Sequence, residues 1–184
     1  LQPVRANFAA LRANGAEPSP DIDELERWSL RQHAALAPTF RARRRDGFVR
    51  ECHGDLHLRN IALIDGKITP FDCIEFDPHL RWIDVMSEVA FVVMDLYDRD
   101  RPALARRFLN RYLEATGDYA GLAVLRFYIA YRALVRAKIH RIRARQAELG
   151  DADRARLLDQ YRGYVALARA QAHPDTPRLM IAHG

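Results

Sequence analysis

The residues that could do chemistry lie in two short runs. The first is Glu51-Cys52-His53-Gly54-Asp55-Leu56-His57-Leu58-Arg59-Asn60 and the second is Phe71-Asp72-Cys73-Ile74-Glu75-Phe76. An aspartate follows a histidine by two positions, an asparagine follows that aspartate by five, and a second aspartate stands beyond a turn. This layout suits phosphoryl transfer. Asp55 would orient a hydroxyl nucleophile and take its proton late in the reaction. Asn60 and Asp72 would hold magnesium against phosphate oxygens, since that ion prefers hard oxygen ligands and takes few of them from protein. His53 reads as a pin for the loop, because a carboxylate is already present to serve as base. His57 either approaches the transferring phosphate or forms a polar lid, and the sequence leaves both readings open. A zinc cluster from Cys52, His53, His57, Cys73, Glu75, Asp77 and His79 lacks the tight paired spacings such a site uses, and Gly54 marks the histidine pair as loop.

These residues need elements that bring them together. Ile61 to Ile64 and Lys67 to Phe71 are strand-like and flank Asp65-Gly66, a strong hairpin signal. The hairpin would return Asp72 to the side of Asn60. Upstream, Leu1 to Ala13 has helical spacing and stops at Asn14-Gly15. After a break at Pro18-Ser19-Pro20, a helix capped by Asp21 or Asp23 would carry Ile22, Leu25, Trp28, Leu36 and Phe40 inward, with Pro38 splitting it. The basic run Arg41 to Arg45 reads as a solvated last turn. Downstream, Leu80 to Tyr97 is apolar nearly all round and predicts a central buried helix carrying Asp84, Glu88 and Asp95. Asp84 would either accept backbone hydrogen bonds from the site loop or pair with Arg59 or Arg81. Helices follow from Pro102 to Thr116, from about Tyr119 to Leu149, and from Asp151 to Ala172. Arg132, Arg136, His140 and Arg143 recur at helical spacing and read as a solvated stripe.

Composition sets the frame. The 184 residues are 49% hydrophobic and 29% charged, as in an ordinary globular domain. No apolar run approaches the roughly 18 residues a membrane helix needs, and Leu1 to Ala13, with neither a continuous apolar core nor a cleavage motif, does not read as a signal peptide. Two cysteines fall short of a disulfide framework, which points to a cytoplasmic setting. Of 29 basic residues only Lys67 and Lys138 are lysine, and the net charge is +5. The arginines are scattered along helices, so nucleic-acid binding ranks third among the functional readings.

The motif His53-Gly54-Asp55-Leu56-His57 with Asn60, and Asp72 after a hairpin, resembles the catalytic segment of the aminoglycoside phosphotransferase-like kinases, relatives of the protein kinases. The match from Phe48 to Val85 is closest to bacterial two-part proteins, in which a phosphotransferase-like region precedes a P-loop ATP-binding kinase-like region. The resemblance implies a mainly α fold with a small β-hairpin near residues 61–71, like a kinase C-lobe without its N-lobe. It implies Asp55 as catalytic base, His57, Asn60 and Asp72 around the nucleotide, Asn60 and Asp72 on magnesium, and His53 and Asp84 as supports of the loop. His57, where protein kinases have lysine, favours a small-molecule hydroxyl as acceptor and ATP as donor, with no nucleic-acid or membrane partner.

No Gly-rich loop or strand lysine precedes His53, so the chain reads as a fragment that has little activity alone. Residues 1–173 would form the lobe. Residues 174–184, with the apolar stretch Arg178 to Gly184, would be a linker and the first strand of a truncated P-loop domain. The alternative reading is a degenerate phosphotransferase-like module that binds a nucleotide or a partner without catalysis. The acceptor is not legible, although Glu75, Asp77 and Glu88 could form a local acidic wall for a polycation.

Overall fold

Helix Val85–Asp98 (α5) is the axis of the molecule because its sequence leaves it no solvent face. Met86, Val89, Ala90, Phe91, Val92, Val93, Met94 and Leu96 are all buried on it. A helix apolar all round must be enclosed by other helices. Here those are Pro102–Thr116 (α6), Leu122–Arg143 (α7) and Asp151–Ala172 (α8), with α7 packed against both α5 and α8. Earlier in the chain, Gln2–Ala13 (α1), Pro20–Ala35 (α2) and Ala37–Arg45 (α3) complete the shell. Phe8, Leu11 and Leu25 fill the space between them. The computed structural model describes residues 2–13, 19–146 and 148–174. The stop at Asn14-Gly15 and the strand expected over Arg178 to Gly184 lie outside the described residues.

The fold is mainly α with two small antiparallel sheets, each of two strands. Ile61–Ile64 (β2) and Lys67–Pro70 (β3) form the expected hairpin, with Ile64 opposite Lys67 and Ile61 opposite Pro70. Its turn needs left-handed backbone at Asp65 (φ 50°) and Gly66 (φ 74°), the demand that Asp-Gly meets most cheaply. A Cβ on Gly66 would touch nothing within 4 Å. Gly66→Ala is therefore expected to cost only the left-handed penalty, about 1 kcal/mol, read as a shift in the urea midpoint.

The second sheet corrects the sequence reading. Leu80 to Tyr97 is not one helix. Pro78–Arg81 (α4) is a single turn, Trp82–Asp84 (β4) is a strand, and α5 starts only at Val85. β4 pairs with Val49–Glu51 (β1), placing Val49 opposite Asp84 and Glu51 opposite Trp82. Extra bonds extend this clasp, from Val85 N to Phe48 O (2.9 Å) and from Cys52 N to Arg81 O (2.8 Å). Trp82-Ile83 suits a strand as well as a helix, and Asp84 then caps α5 by accepting from Met86 N at 2.9 Å. Further differences are smaller. Ser19, not Asp21 or Asp23, takes the N-cap position of α2. The segment expected as one helix from Tyr119 to Leu149 is a 3-10 turn, Tyr119–Gly121, followed by α7.

The basic run before β1 is not wholly solvated. Arg43 is buried between Asp84 and Asp118, with Nε–Oδ2 2.7 Å and Nη2–Oδ1 2.8 Å to the first. To the second the distances are Nη1–Oδ1 2.7 Å and Nη2–Oδ2 2.8 Å. Seven large apolar side chains are exposed in the stretch from residue 63 to 82 (Leu63, Ile64, Ile68, Phe71, Phe76, Leu80 and Trp82), and Leu104, Tyr119, Leu122 and Ile142 are exposed elsewhere. No described helix is long and apolar enough to cross a membrane.

Candidate functional site

The loop between the clasp and the hairpin is held from beneath by α5. Gly54 N donates to Glu88 Oε2 at 2.7 Å and Leu56 N to Glu88 Oε1 at 3.3 Å. One turn further along the loop, Leu58 N donates to Asp95 Oδ2 at 2.8 Å. Glu88 and Asp95 are seven apart on a helix, hence on one face, and both are buried. From the other side, Arg132 Nη1 donates to Gly54 O at 3.0 Å while its Nε reaches Ser87 O and Oγ at 3.2 Å. The carboxylates absorb the loop's amide protons and the guanidinium absorbs its carbonyl, so a non-repetitive segment stays satisfied against an apolar core.

Gly54 cannot be another residue without distortion. Its φ is +85°, and a Cβ would sit 2.8 Å from Leu80 O and 3.2 Å from Ile74 Cδ1. Gly54→Ala is expected to cost about 2–3 kcal/mol, the left-handed penalty plus a backbone clash. If its denaturation midpoint fell no further than that of Gly66→Ala, the close approach would not matter.

Asp55 follows, and its carboxylate is about one-third exposed (33%). His57 Nε2 lies 3.4 Å from Asp55 Oδ2, and Asn60 Nδ2 donates to Asp55 O at 3.1 Å and to Oδ2 at 3.4 Å. The bond from His57 is the main reason the Asp55 carboxyl titrates below its ordinary value, with burial opposing and His57, Arg136 and Arg132 adding charge attraction. Asp55 is thus ionised at neutral pH. His57 is 7% exposed, edge-on to Phe91 at 5.6 Å, so it supports the loop from below and does not cover it as a lid.

His53 ties the two runs together. Its Nε2 donates to Phe71 O at 2.7 Å, which leaves Nδ1 to accept from Asp55 N at 3.4 Å. Ile74 N returns to His53 O at 3.0 Å. Asn60 O accepts from Phe71 N at 3.0 Å, so the base of the hairpin joins the backbones of Asn60 and Phe71. Asp72 is next in the chain, exposed, with a left-handed φ of 59°. With Nδ2 committed to Asp55, the Asn60 amide has Oδ1 left for a cation, and Asp72 offers a free carboxylate. Two oxygen donors suit an ion that takes its other ligands from water and phosphate. No group of three His, Cys, Asp or Glu side chains among the described residues could hold a metal by itself.

Asp84 makes no hydrogen bond to this loop, nor does it pair with Arg59 or Arg81; its partners are Arg43, Tyr128 and the α5 N-terminus. The bracing expected of Asp84 falls instead to Glu88 and Asp95. Their signal was present in the sequence as acids two turns apart on an otherwise apolar helix. The expected solvated stripe is also corrected, since Arg132, Arg136 and His140 are buried and only Arg143 is exposed. Of the expected acidic wall, Glu88 is withdrawn into the core, whereas Glu75 stays exposed. Glu88 is spent on the loop amides, and Asp77 caps α4 through His79 N at 2.9 Å. Cys52 is half-buried, and burial pushes its thiol up to about 11, so it is protonated at neutral pH. A cleft of about 730 Å³ lined by Phe40, Trp82, Phe127, Tyr128 and Tyr131 opens beside β1 and β4, and Asp55 does not line it.

Uncharacterized proteins of Mycobacterium bovis and Mycobacterium tuberculosis match this chain at 35% identity over 151 residues. The match takes in 79% of the chain but 30% of each relative, so the chain spans under a third of their length. No family model matches the sequence, and no solved structure matches it.

Proposed function

We propose that this chain is the C-lobe-like region of an aminoglycoside phosphotransferase-like kinase, moving the γ-phosphoryl group of ATP to a hydroxyl of a small molecule. The observation that carries this reading is Asp55: an ionised, part-exposed carboxylate on a rigidly clamped loop, bonded by the amide of Asn60 at the foot of a hairpin that returns with Asp72. Such a carboxylate is a weak base, which suits phosphoryl transfer, where positioning outweighs early deprotonation. Asp55 accepts a hydrogen bond from the acceptor hydroxyl and aims its oxygen at the γ-phosphorus. The new O–P bond forms as the bond to the β–γ bridging oxygen breaks; ADP departs, and the hydroxyl proton passes to Asp55 and then to water. His57 and Asn60 keep the carboxylate in one orientation throughout. Magnesium on Asn60 Oδ1 and Asp72 would supply charge neutralisation for the phosphates.

The wider assignment follows the same reading. A donor site of this kind needs an N-terminal lobe, and the exposed apolar side chains of the hairpin segment, Leu63, Ile64, Ile68 and Phe71, are suited to meet one from the same polypeptide. A downstream P-loop domain and a cytoplasmic setting belong to the proposal too, the latter in keeping with two free cysteines. The decisive experiment is magnesium-dependent ATP turnover by the full-length protein and its Asp55→Asn variant, with any downstream P-loop disabled in both. Equal rates would remove Asp55 from the mechanism.

A further inference from the structure

The run Arg43-Arg44-Arg45 divides its charges unequally. Arg43 is buried on Asp84 and Asp118, and Arg45 pairs with Asp46 at 2.8 Å on the surface. Arg44 makes no ion pair with any described residue, yet it lines the cleft of about 730 Å³ beside β1 and β4. It stands one turn after Phe40 on α3, so the guanidinium and that ring share a face.

Around Phe40 the cleft wall is a cluster of rings drawn from three helices. Ring centroids lie 5.5 Å apart for His33 and Phe40, 5.4 Å for Phe40 and Phe127, and 5.7 Å for Phe40 and Tyr128. Trp82 on β4 adds a further ring to the same cleft and is 54% exposed. Burial holds the His33 imidazole below its ordinary value, so at neutral pH it is uncharged and acts as one more flat face. Tyr128 spends its hydroxyl on Asp84, which leaves its ring to the cleft. Such a wall favours a flat ligand that stacks, and the volume falls in the range of small-molecule sites.

The polar groups decide the ligand's charge. Aromatic faces alone would also hold a cation. Of the described residues lining the cleft, however, only Asp84 is a carboxylate. It is 5% exposed and already accepts from Arg43 and from Met86 N. Arg44 is exposed with its fork of donors uncommitted, and the exposed His79 brings an imidazole to the same cleft. We propose that this cleft binds a planar aromatic compound bearing a carboxylate, its ring against Phe40 and Trp82 and its charge on Arg44. A guanidinium takes a carboxylate through paired charge-assisted bonds. Asp55 does not line the cleft, so this is a second site, apart from the proposed transfer chemistry.

Calorimetric titration of 2-naphthoate into the full-length protein and its Arg44→Gln, Trp82→Ala and Arg45→Gln variants tests this. All three side chains are exposed, and circular dichroism checks that each variant keeps its fold. Saturable binding is expected in the parent, weaker by about tenfold in Arg44→Gln, the loss of a bond to a charged group. Trp82→Ala should weaken it by about fivefold through lost stacking. Arg45→Gln removes the same charge outside the cleft and should leave binding unchanged. Equal affinity in the parent and Arg44→Gln overturns the proposal. Absent binding does so too, and would mean that another part of the polypeptide or a second copy covers the rings. Tighter binding of 2-naphthylmethylamine would make the cleft a cage for cations, and tighter binding of cyclohexanecarboxylate would deny the stacking; either overturns it. Displacement of 2-naphthoate by magnesium-ATP would assign the cleft to the nucleotide and overturn it as well.

Discussion

Arg43→Ala is expected to destabilise the protein by about 3–5 kcal/mol, the cost of breaking a buried ion pair by removing one partner. The arginine sits at 3% exposure between two carboxylates, each engaged through two bonds. Tyr112 Oη and Gly121 N donate to Asp118 at 3.0 and 3.1 Å, and Met86 N donates to Asp84 at 2.9 Å, so the remaining lone pairs are satisfied. Without the guanidinium, two anions would face each other in an apolar interior. The loss is a large share of a typical domain's 5–15 kcal/mol. The effect also has a pH signature. Burial would push the Asp118 carboxyl up, but the Arg43 bonds outweigh it and hold the group below its ordinary value. Its contribution in the parent protein is therefore complete above the ordinary carboxylate value of about 4 and lost as pH falls below that. In the variant the sign reverses, because anions without a cation resist ionisation, so acid relieves them. Urea unfolding of both proteins between pH 7 and 4 should show the gap narrowing with acid. A gap that is constant, or below about 1 kcal/mol, would mean that the carboxylates find other partners.

Asp55→Asn should lower phosphoryl transfer by about two to four orders of magnitude, the range for losing a positioned proton acceptor. The amide keeps an oxygen for Asn60 Nδ2 but cannot accept the hydroxyl proton. Since the carboxylate is one-third exposed and forms no part of the core, the melting temperature should change little, which separates chemistry from stability. The depressed Asp55 value also fixes the pH profile. Transfer should stay flat from neutral pH down to about 4 and fall only below it. A profile that already declines near neutrality would point to a different titrating group.

Much of this organisation could be read from the sequence. Asp65-Gly66 named its own turn, Pro102 and Gly117 bracketed α6, and the apolar run of α5 announced the core. The hairpin alone was enough to bring Asn60 and the segment leading into Asp72 together. What could not be read were partnerships across long separations. Arg43 looked like one of a solvated run because its partner Asp118 is 75 residues away, and charge alone does not reveal burial. Arg132 looked solvated for the same reason, since its acceptor is Gly54 O, 78 residues back. The Trp82–Asp84 strand was hidden because aromatic and β-branched residues next to a helix start satisfy either periodicity.

The pairing of Val49–Glu51 with Trp82–Asp84 has an evolutionary corollary. Residues 52–81 leave and re-enter the helical body through adjacent strands, so the excursion is already closed at its base. Closure entropy grows slowly with length, about 0.6 kcal/mol for each doubling. Descendants of this chain can therefore lengthen or trim the hairpin part of the excursion with little penalty, while Glu88, Asp95 and Arg132 hold the bundle to the Gly54–Leu58 backbone. Length can thus vary at the hairpin tip, while the loop that carries Asp55 and the helices that clamp it must change together.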